Sequence, residues 1–282
     1  MNCYSICVTI VRPPQIHIRQ LMPSARDRAV LVLELLSQHV QGLAMSEVGD
    51  RLGIPRSAAH RLLADLKEMG YVKQNAHTTH YMLTIKLAAL GLSYLAATGV
   101  TDAAQPLLDD LAERSCELVR LAVIEGNQLT WVAKSQGARS GLRYDPDAGL
   151  DVYLPATANG LAWLAAVTDE RALELLSQHG MDQAKRMGPG APQTLREVLE
   201  RIDQTRQRGH ATVFDAYEQG TSAMAAVVCA STHGAPIATV SIAGPSVRMT
   251  PERMEALAPD LLACAKALGA TSGQSPLFAS VN

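Results

Sequence analysis

Met45–Gly70, MSEVGDRLGIPRSAAHRLLADLKEMG, is the stretch whose reading decides the fold. Its spacing predicts two short helices joined by a tight turn. Ser46 is placed to N-cap the first helix, where a hydroxyl accepts from an unpaired backbone N–H. That helix turns Val48 and Leu52 inward and Asp50 and Arg51 outward. Gly53 stands where a helix ends in a left-handed residue, and Pro55 stands near the first position of the next helix, where a missing N–H costs nothing. Ala59, Leu62, Leu63 and Leu66 then recur at i, i+3, i+4 and i+7 as one apolar stripe. The opposite face carries Arg56, Ser57, His60 and Arg61. A short helix with a small, polar and basic N-terminal face suits the major groove, although the same pattern fits any helical hairpin with solvated arginines.

Outward from this stretch, Gly70-Tyr71-Val72-Lys73 reads as a strand, Asn75–Thr79 as a turn and His80–Leu83 as a returning strand. Helix, turn, helix and β-hairpin in that order predict a winged helix-turn-helix over residues 23–83. Lys73 and His77 fall in the wing. His77 and His80 have metal-ligand spacing, but a phosphate or solvent contact is the better reading in a wing. Ahead of the stretch, residues 24–40 predict a helix whose inner face is Ala29, Leu33, Leu36 and Val40.

Charge supports this division. The chain has 282 residues, a formal net charge of −2 and 48% hydrophobic residues. Residues 23–82 hold seven Lys/Arg and six Asp/Glu, and residues 83–282 hold 16 and 21. A slightly basic module therefore precedes an acidic partner domain, as expected of a small nucleic-acid reader on a larger body. The five cysteines are scattered with no C-x-x-C pair, which argues against zinc and for reduced thiols in a cytoplasmic protein. No apolar run reaches the roughly 18 residues that span a bilayer. Residues 1–22 contain Pro13-Pro14 and lack a signal-peptide pattern. They read as a dispensable tail or an over-long start, with Met22 as an alternative initiator.

Residues 84–100 predict a linker helix whose apolar face, Leu87, Leu90 and Tyr94, suggests self-association, with packing on the second domain as the other reading. From 101 to 271 the pattern changes, and 272–282 reads as a tail. Asp102 is placed to cap a helix running to Cys116. Leu118–Ile124 and Gln128–Lys134 predict a hairpin around Gly126-Asn127. A Gly- and Asp-rich loop follows, then a turn at Pro155–Gly160 into an apolar helix. Asp169–His179 and Thr194–Arg208 predict amphipathic helices, Ala211–Phe214, Ser222–Ala230 and Pro236–Ala243 strands, and Pro251–Leu268 a closing helix. Hairpin-paired strands with interspersed helices make the second domain α+β.

The ordered series MSEVGDRLG (45–53), IPRSAAHRLLADLKEMGYV (54–72), LAALGLSYL (87–95), QPLLDDLAERS (105–115), LPATANGLAWLA (154–165), the R-G-H…E-x-G run (208–220) and VSIAGPSVRMTPERM (240–254) resembles the IclR family of bacterial transcription regulators. The resemblance implies a winged helix-turn-helix, a linker helix, a GAF-like effector-binding domain, and a dimer or tetramer. This sequence departs from the family pattern in places. Gly49 replaces a usual Ala at about 1 kcal/mol of helix propensity, Leu161 a Lys, Val213-Phe214 an acidic pair, Ala223 a Cys and Ala243 one of two Ser, the other being kept as Ser241. These losses imply a larger or more apolar effector than a small keto acid.

The resulting expectation is a DNA-binding regulator that responds to a small organic acid, aromatic ones included. Arg56, Ser57 and His60 read bases, and Ser46, Arg61, Lys73 and His77 complete the DNA-binding set. Thr157, Asn159, Gly160, Val213, Asp215, Ala223 and Ser241 surround the effector, with Val213, Phe214 or Met224 as the apolar wall and core packing as the better reading of Phe214 and Met224. The carboxylate is expected at the helix N-terminus after Thr157. No cofactor or metal is expected. The rival class is an enzyme acting on a small acid with a vestigial DNA domain. Its candidate groups are weakly marked: Cys229 with His233 lacks an orienting third residue, and Asp145-Pro146-Asp147 reads as loop.

Overall fold

A computed structural model of the chain describes residues 25–145, 152–231 and 234–275. The expectations for residues 1–22, Asp147 and His233 lie outside these residues. The chain divides into two compact units, one ending at Tyr94 and the other starting at Leu95.

The first unit contains α1 (Ala25–Ser37), α2 (Met45–Leu52), α3 (Arg56–Glu68), β1 (Val72–Gln74) and β2 (Tyr81–Leu83). Its core is Val32, Leu36, Leu43, Val48, Leu63, Leu66 and Val72. The inner face of α1 is thus Val32 with Leu36; Val40 lies past the helix end, 78% exposed. Ala44, rather than Ser46, is the N-cap of α2. It has no side-chain acceptor, and the Glu47 carboxylate instead takes the Ala44 N–H at 2.8 Å, so the acidic residue completes the turn. Gly53 ends α2 in the left-handed region at φ 63°. Pro55 is the N-cap of α3. Gly49 is buried, and a Cβ there would lie 3.7 Å from the Ala59 Cβ, which shows why a small residue is needed where α2 crosses α3. The hairpin pairs Val72 with Leu83, and Leu43 bridges Tyr81, a pairing not anticipated from sequence. Asn75 Oδ1 accepts from the His77 and Thr78 N–H groups, which closes the wing tip as an Asx turn.

α4 (Lys86–Thr98) carries the chain into the second unit, where Leu95 packs on the core. There follow α5 (Val100–Ser115), β3 (Leu118–Glu125), β4 (Gln128–Gln136), α6 (Ala158–Ala166), α7 (Asp169–His179), α8 (Leu195–Arg208), β5 (Ala211–Phe214), β6 (Thr221–Cys229), β7 (Pro236–Pro245) and α9 (Pro251–Ala270). α5 starts from Gly99 in the left-handed region, so Asp102 sits in its first turn rather than capping it. The five strands form one antiparallel sheet in the order β4-β3-β7-β6-β5.

Strand alternation sorts this sheet into two faces. Val119, Leu121, Met224, Ala226, Val240 and Ile242 face a core shared with α5 and α9. Ala122, Ile124, Trp131, Val213 and Ala225 face a core shared with α6, α7 and α8. Being covered on both sides, β3 is buried from Leu118 to Ile124 and apolar over that length except for Arg120, its third residue.

Candidate functional site

Two surfaces carry chemistry. The first is the exposed face of α3. Ala59, Leu63 and Leu66 are buried, and the helical period then turns Arg56, Ser57, His60 and Arg61 to solvent, where all four are exposed. Lys73 and His77 are exposed on the wing, and Ser46 is half-buried in the first turn of α2. Among the described residues, Arg56, Arg61 and Lys73 form no ion pair. By contrast Arg51, which α2 also turns outward, is bonded to His39 Nε2 at 2.9 Å. Cations not engaged in an ion pair are available to phosphate.

The second surface is a cleft on the α6 side of the five-stranded sheet. Its walls include Arg120, Tyr144, Thr157, Asn159, Val213 and Tyr217, with Thr221, Ser222, Ala223 and Ala243 along the strand floor. Its free volume is about 20 Å³, room for about one water. The N-terminus of α6 opens into it. Thr157 Oγ1 accepts from the Gly160 N–H at 3.1 Å and donates to the Tyr153 carbonyl at 2.9 Å. The first two N–H groups of the helix, on Ala158 and Asn159, have no partner within the helix. Asn159 Nδ2 donates to Thr239 Oγ1 at 2.9 Å, which pins the helix start to β7.

Of the residues expected around an effector, Thr157, Asn159, Val213 and Ala223 line this cleft. Three others stand elsewhere. Gly160 faces the backbone of Leu154, and an added Cβ would come under 3.0 Å from it; its lack of a side chain serves packing rather than ligand approach. Asp215 turns its carboxylate into its own loop, where Oδ1 accepts from the Gly220 N–H at 2.7 Å and the Ser246 hydroxyl at 3.0 Å. Ser241 lies on the cleft-side face of β7 but below the lining, buried, with no partner for Oγ. The candidate wall residues also separate: Met224 points into the α5–α9 core and Phe214 is exposed, leaving Val213 as the inward apolar residue of that strand.

Arg120, Tyr144 and Tyr217 were missed. The Arg120 guanidinium carbon lies 3.9 Å from the Trp131 ring centroid and 5.9 Å from that of Tyr144. Trp131 and Tyr217 meet edge to face at 6.5 Å. Burial pushes the Tyr144 hydroxyl up to about 12, against the opposing pull of Arg120. The signal for Arg120 is one cation inside LVRLAVIE, a strand otherwise too apolar for a charge without a task. As for an enzymatic centre, burial pushes the Cys229 thiol up, the opposite of what a nucleophile needs. Among the described residues no cluster of three metal-ligating side chains occurs, and no single helix is long and apolar enough to cross a membrane.

A winged helix-turn-helix followed by an α+β unit with its own cleft is the build of a ligand-responsive DNA-binding regulator. The chain belongs to the IclR family: residues 25–76 match the IclR helix-turn-helix domain and residues 92–270 the C-terminal domain of bacterial IclR transcriptional regulators. It is 28% identical over 228 residues to the transcriptional repressor IclR of Escherichia coli, covering 80% of this chain and 82% of that one. It is 26% identical to the Pca regulon regulatory protein of Pseudomonas putida, over 86% of this chain and 81% of the other. An IclR transcriptional regulator from Alicyclobacillus acidocaldarius shares the fold with a TM-score of 0.75 at 20% identity, over 89% and 99% of the two chains. An IclR homolog from Microbacterium hydrocarbonoxydans, solved with 4-hydroxybenzoate, does so with a TM-score of 0.69 at 22% identity, over 87% and 99%. The protein is thus a transcriptional regulator rather than an enzyme, with a DNA-binding domain and a C-terminal effector-binding domain.

Proposed function

We propose that this regulator binds a palindromic operator as a homodimer or homotetramer in the cytoplasm, and that a small organic acid in the α6 cleft sets its affinity. The observation that carries the effector class is the α6 N-terminus opening into the cleft. Unpaired N–H groups and a partial positive charge favour a carboxylate there. Thr157, Asn159, Val213 and Ala223 hold and shape the occupant, while Gly160, Asp215 and Ser241 support the walls around it. The 4-hydroxybenzoate held by the Microbacterium relative belongs to the same chemical class. The test is a mobility-shift titration of the operator by the full chain with keto, aliphatic and aromatic acids. An acid that moves the operator midpoint of wild type, but not of an Asn159→Ala variant, supports the site; an equal response in both places the site elsewhere.

On the DNA side, Arg56, Ser57 and His60 reach base edges, and Arg61 and Lys73 meet phosphate, with Ser46 and His77 on the flanking backbone. Arg56→Ala is expected to cost about 1–3 kcal/mol and to relax specificity at one base pair. Lys73→Ala is expected to weaken all sequences alike and to reduce the salt slope by about one. Unchanged affinity and specificity in both variants would remove the assignment.

Assembly is read from α4. Its Leu87, Leu90, Leu92 and Tyr94 are all exposed in the single chain, Leu90 by 50%, and a helix that apolar needs cover. A second copy of α4 supplies it and gives the two-fold symmetry that pairs recognition helices on a palindrome. Leu90→Glu should therefore yield monomers with weak operator binding. Light scattering on wild type at micromolar concentration is the check, and a monomer there contradicts the assembly.

A further inference from the structure

Among the described residues, Arg120 is a buried cation without a counter-ion. It is 8% exposed, and among the described residues no carboxylate pairs with it. Its Nε has no acceptor. Burial lowers its pKa, and the ionisable groups that act against this are the hydroxyls of Tyr144, which is hydrogen-bonded to it, and Tyr217. An isolated charge is costly to bury, and stacking on Trp131 offsets only part of that cost. The guanidinium lies over the indole and shares a side-chain hydrogen bond with Tyr144, which leaves Nε for another group.

Two further buried polar atoms lack partners close by. Ser241 stands directly opposite Arg120 across the β3–β7 pairing, and its Oγ is unsatisfied. Trp131, beneath the guanidinium, has an unsatisfied Nε1. Native interiors leave few such groups, and three on one patch of sheet beside a cleft call for an acceptor from outside the chain. Arg120 is the one basic side chain lining the cleft among the described residues, which matches a single negative charge. Tyr144 and Tyr217 stand beside it and offer flat apolar surface to a planar body.

We propose that Arg120 is the anion anchor of the cleft and that the effector is an aromatic monocarboxylate, its carboxylate on the guanidinium edge and its ring against Tyr144 and Tyr217. This rests on the cleft reading above and names its ligand class. Planar two-point pairing of guanidinium with carboxylate supplies both affinity and orientation. The α6 N-terminus then acts as the second, weaker contact with the same anion or with a ring substituent.

The test is calorimetry on the full chain with benzoate as probe, benzamide as its uncharged counterpart and phthalate as a dianion. Wild type should bind benzoate saturably, phthalate more weakly and benzamide not at all. Arg120→Met should lose about 100-fold or more in benzoate affinity. The same variant should melt no lower than wild type without ligand, since it removes an unpaired buried charge. Arg120→Lys, with the charge but not the fork, should fall between, and it stands in if the Met variant does not fold. Ala223→Phe, which fills the cleft from the floor, separates the two ideas. If the Arg120 variants bind benzoate like wild type while Ala223→Phe does not, the cleft reading stands and the anchor is refuted. Benzoate binding that survives Ala223→Phe refutes the cleft reading itself. Absence of saturable benzoate binding to wild type overturns the proposed ligand class.

Discussion

Gly160→Ala is expected to destabilise the effector unit by more than about 3 kcal/mol, beyond the usual cost of overpacking, and to abolish its response to effector. The added methyl would come under 3.0 Å from the Cα, C and O atoms of Leu154. These are backbone atoms in the 3-10 turn Leu154–Ala156 that leads into α6, so no side-chain rotation relieves the clash. Relief requires the start of α6 to shift off that turn. The shift would strain the Thr157 cap and the Asn159–Thr239 bond that fix the helix against the sheet. Gly49→Ala is the control. Its Cβ would meet the Ile54 carbonyl at 3.2 Å and Ala59 Cβ at 3.7 Å, and the helix gains about 1 kcal/mol in propensity, so its expected net effect is near zero. Calorimetric melting of both variants checks the pair. A Gly160→Ala protein that melts within about 2 °C of wild type would show that α6 can slide, at the 2–4 °C per kcal/mol typical of this size.

The contrast between these glycines marks what was legible in the sequence. Element order and type followed from periodicity: the stripe at 59, 62, 63 and 66 placed α3, and Ala211–Phe214 was bounded correctly because Gly209 and the apolar pattern flank it. Side-chain direction within short strands was not legible. Met224 and Val213 both read as apolar wall until the β5–β6 register, pairing Val213 with Ala223, put Met224 on the opposite face. The α2 cap was misread because Ser46 and Glu47 are both capping residues one position apart, and only the backbone shows that Glu47 reaches Ala44. Asp215 was drawn into the site by its neighbours; its backbone at φ 49° turns the side chain into the loop. Arg120 was missed, although a lone cation in the apolar stretch Leu118–Ile124 was there to be noticed. Its meaning needed the structure, since a buried arginine usually has a carboxylate, and the absence of one among the described residues appears only once the strands are paired.

Arg248 shows the more usual arrangement, and its replacement by methionine is the second large effect expected. Glu117 is nearly buried, its side chain 5% exposed, between α5 and β3. Arg248 meets it with two parallel bonds, Nε to Oε1 at 2.5 Å and Nη2 to Oε2 at 2.9 Å, and Nη2 also donates to the Leu142 carbonyl at 2.9 Å. The carboxylate packs against Gly244, where a Cβ would come under 3.0 Å from it, so β7 leaves space for this pair. Arg248→Met strands a buried carboxylate, which costs about 3–5 kcal/mol in comparable pairs. The lower end applies, because the arginine side chain is 38% exposed and water reaches its outer edge. That corresponds to about 6–12 °C in melting temperature. Glu117→Gln should cost less, since the amide keeps one acceptor and leaves the wetter partner unpaired. Glu117→Leu combined with Arg248→Met should recover much of the loss, because a buried pair contributes little net stability over an apolar replacement. The cycle of single and double variants isolates the coupling. A double variant as unstable as the sum of the singles would mean that the two residues act separately, and that the fork between α5 and β7 is not what joins them.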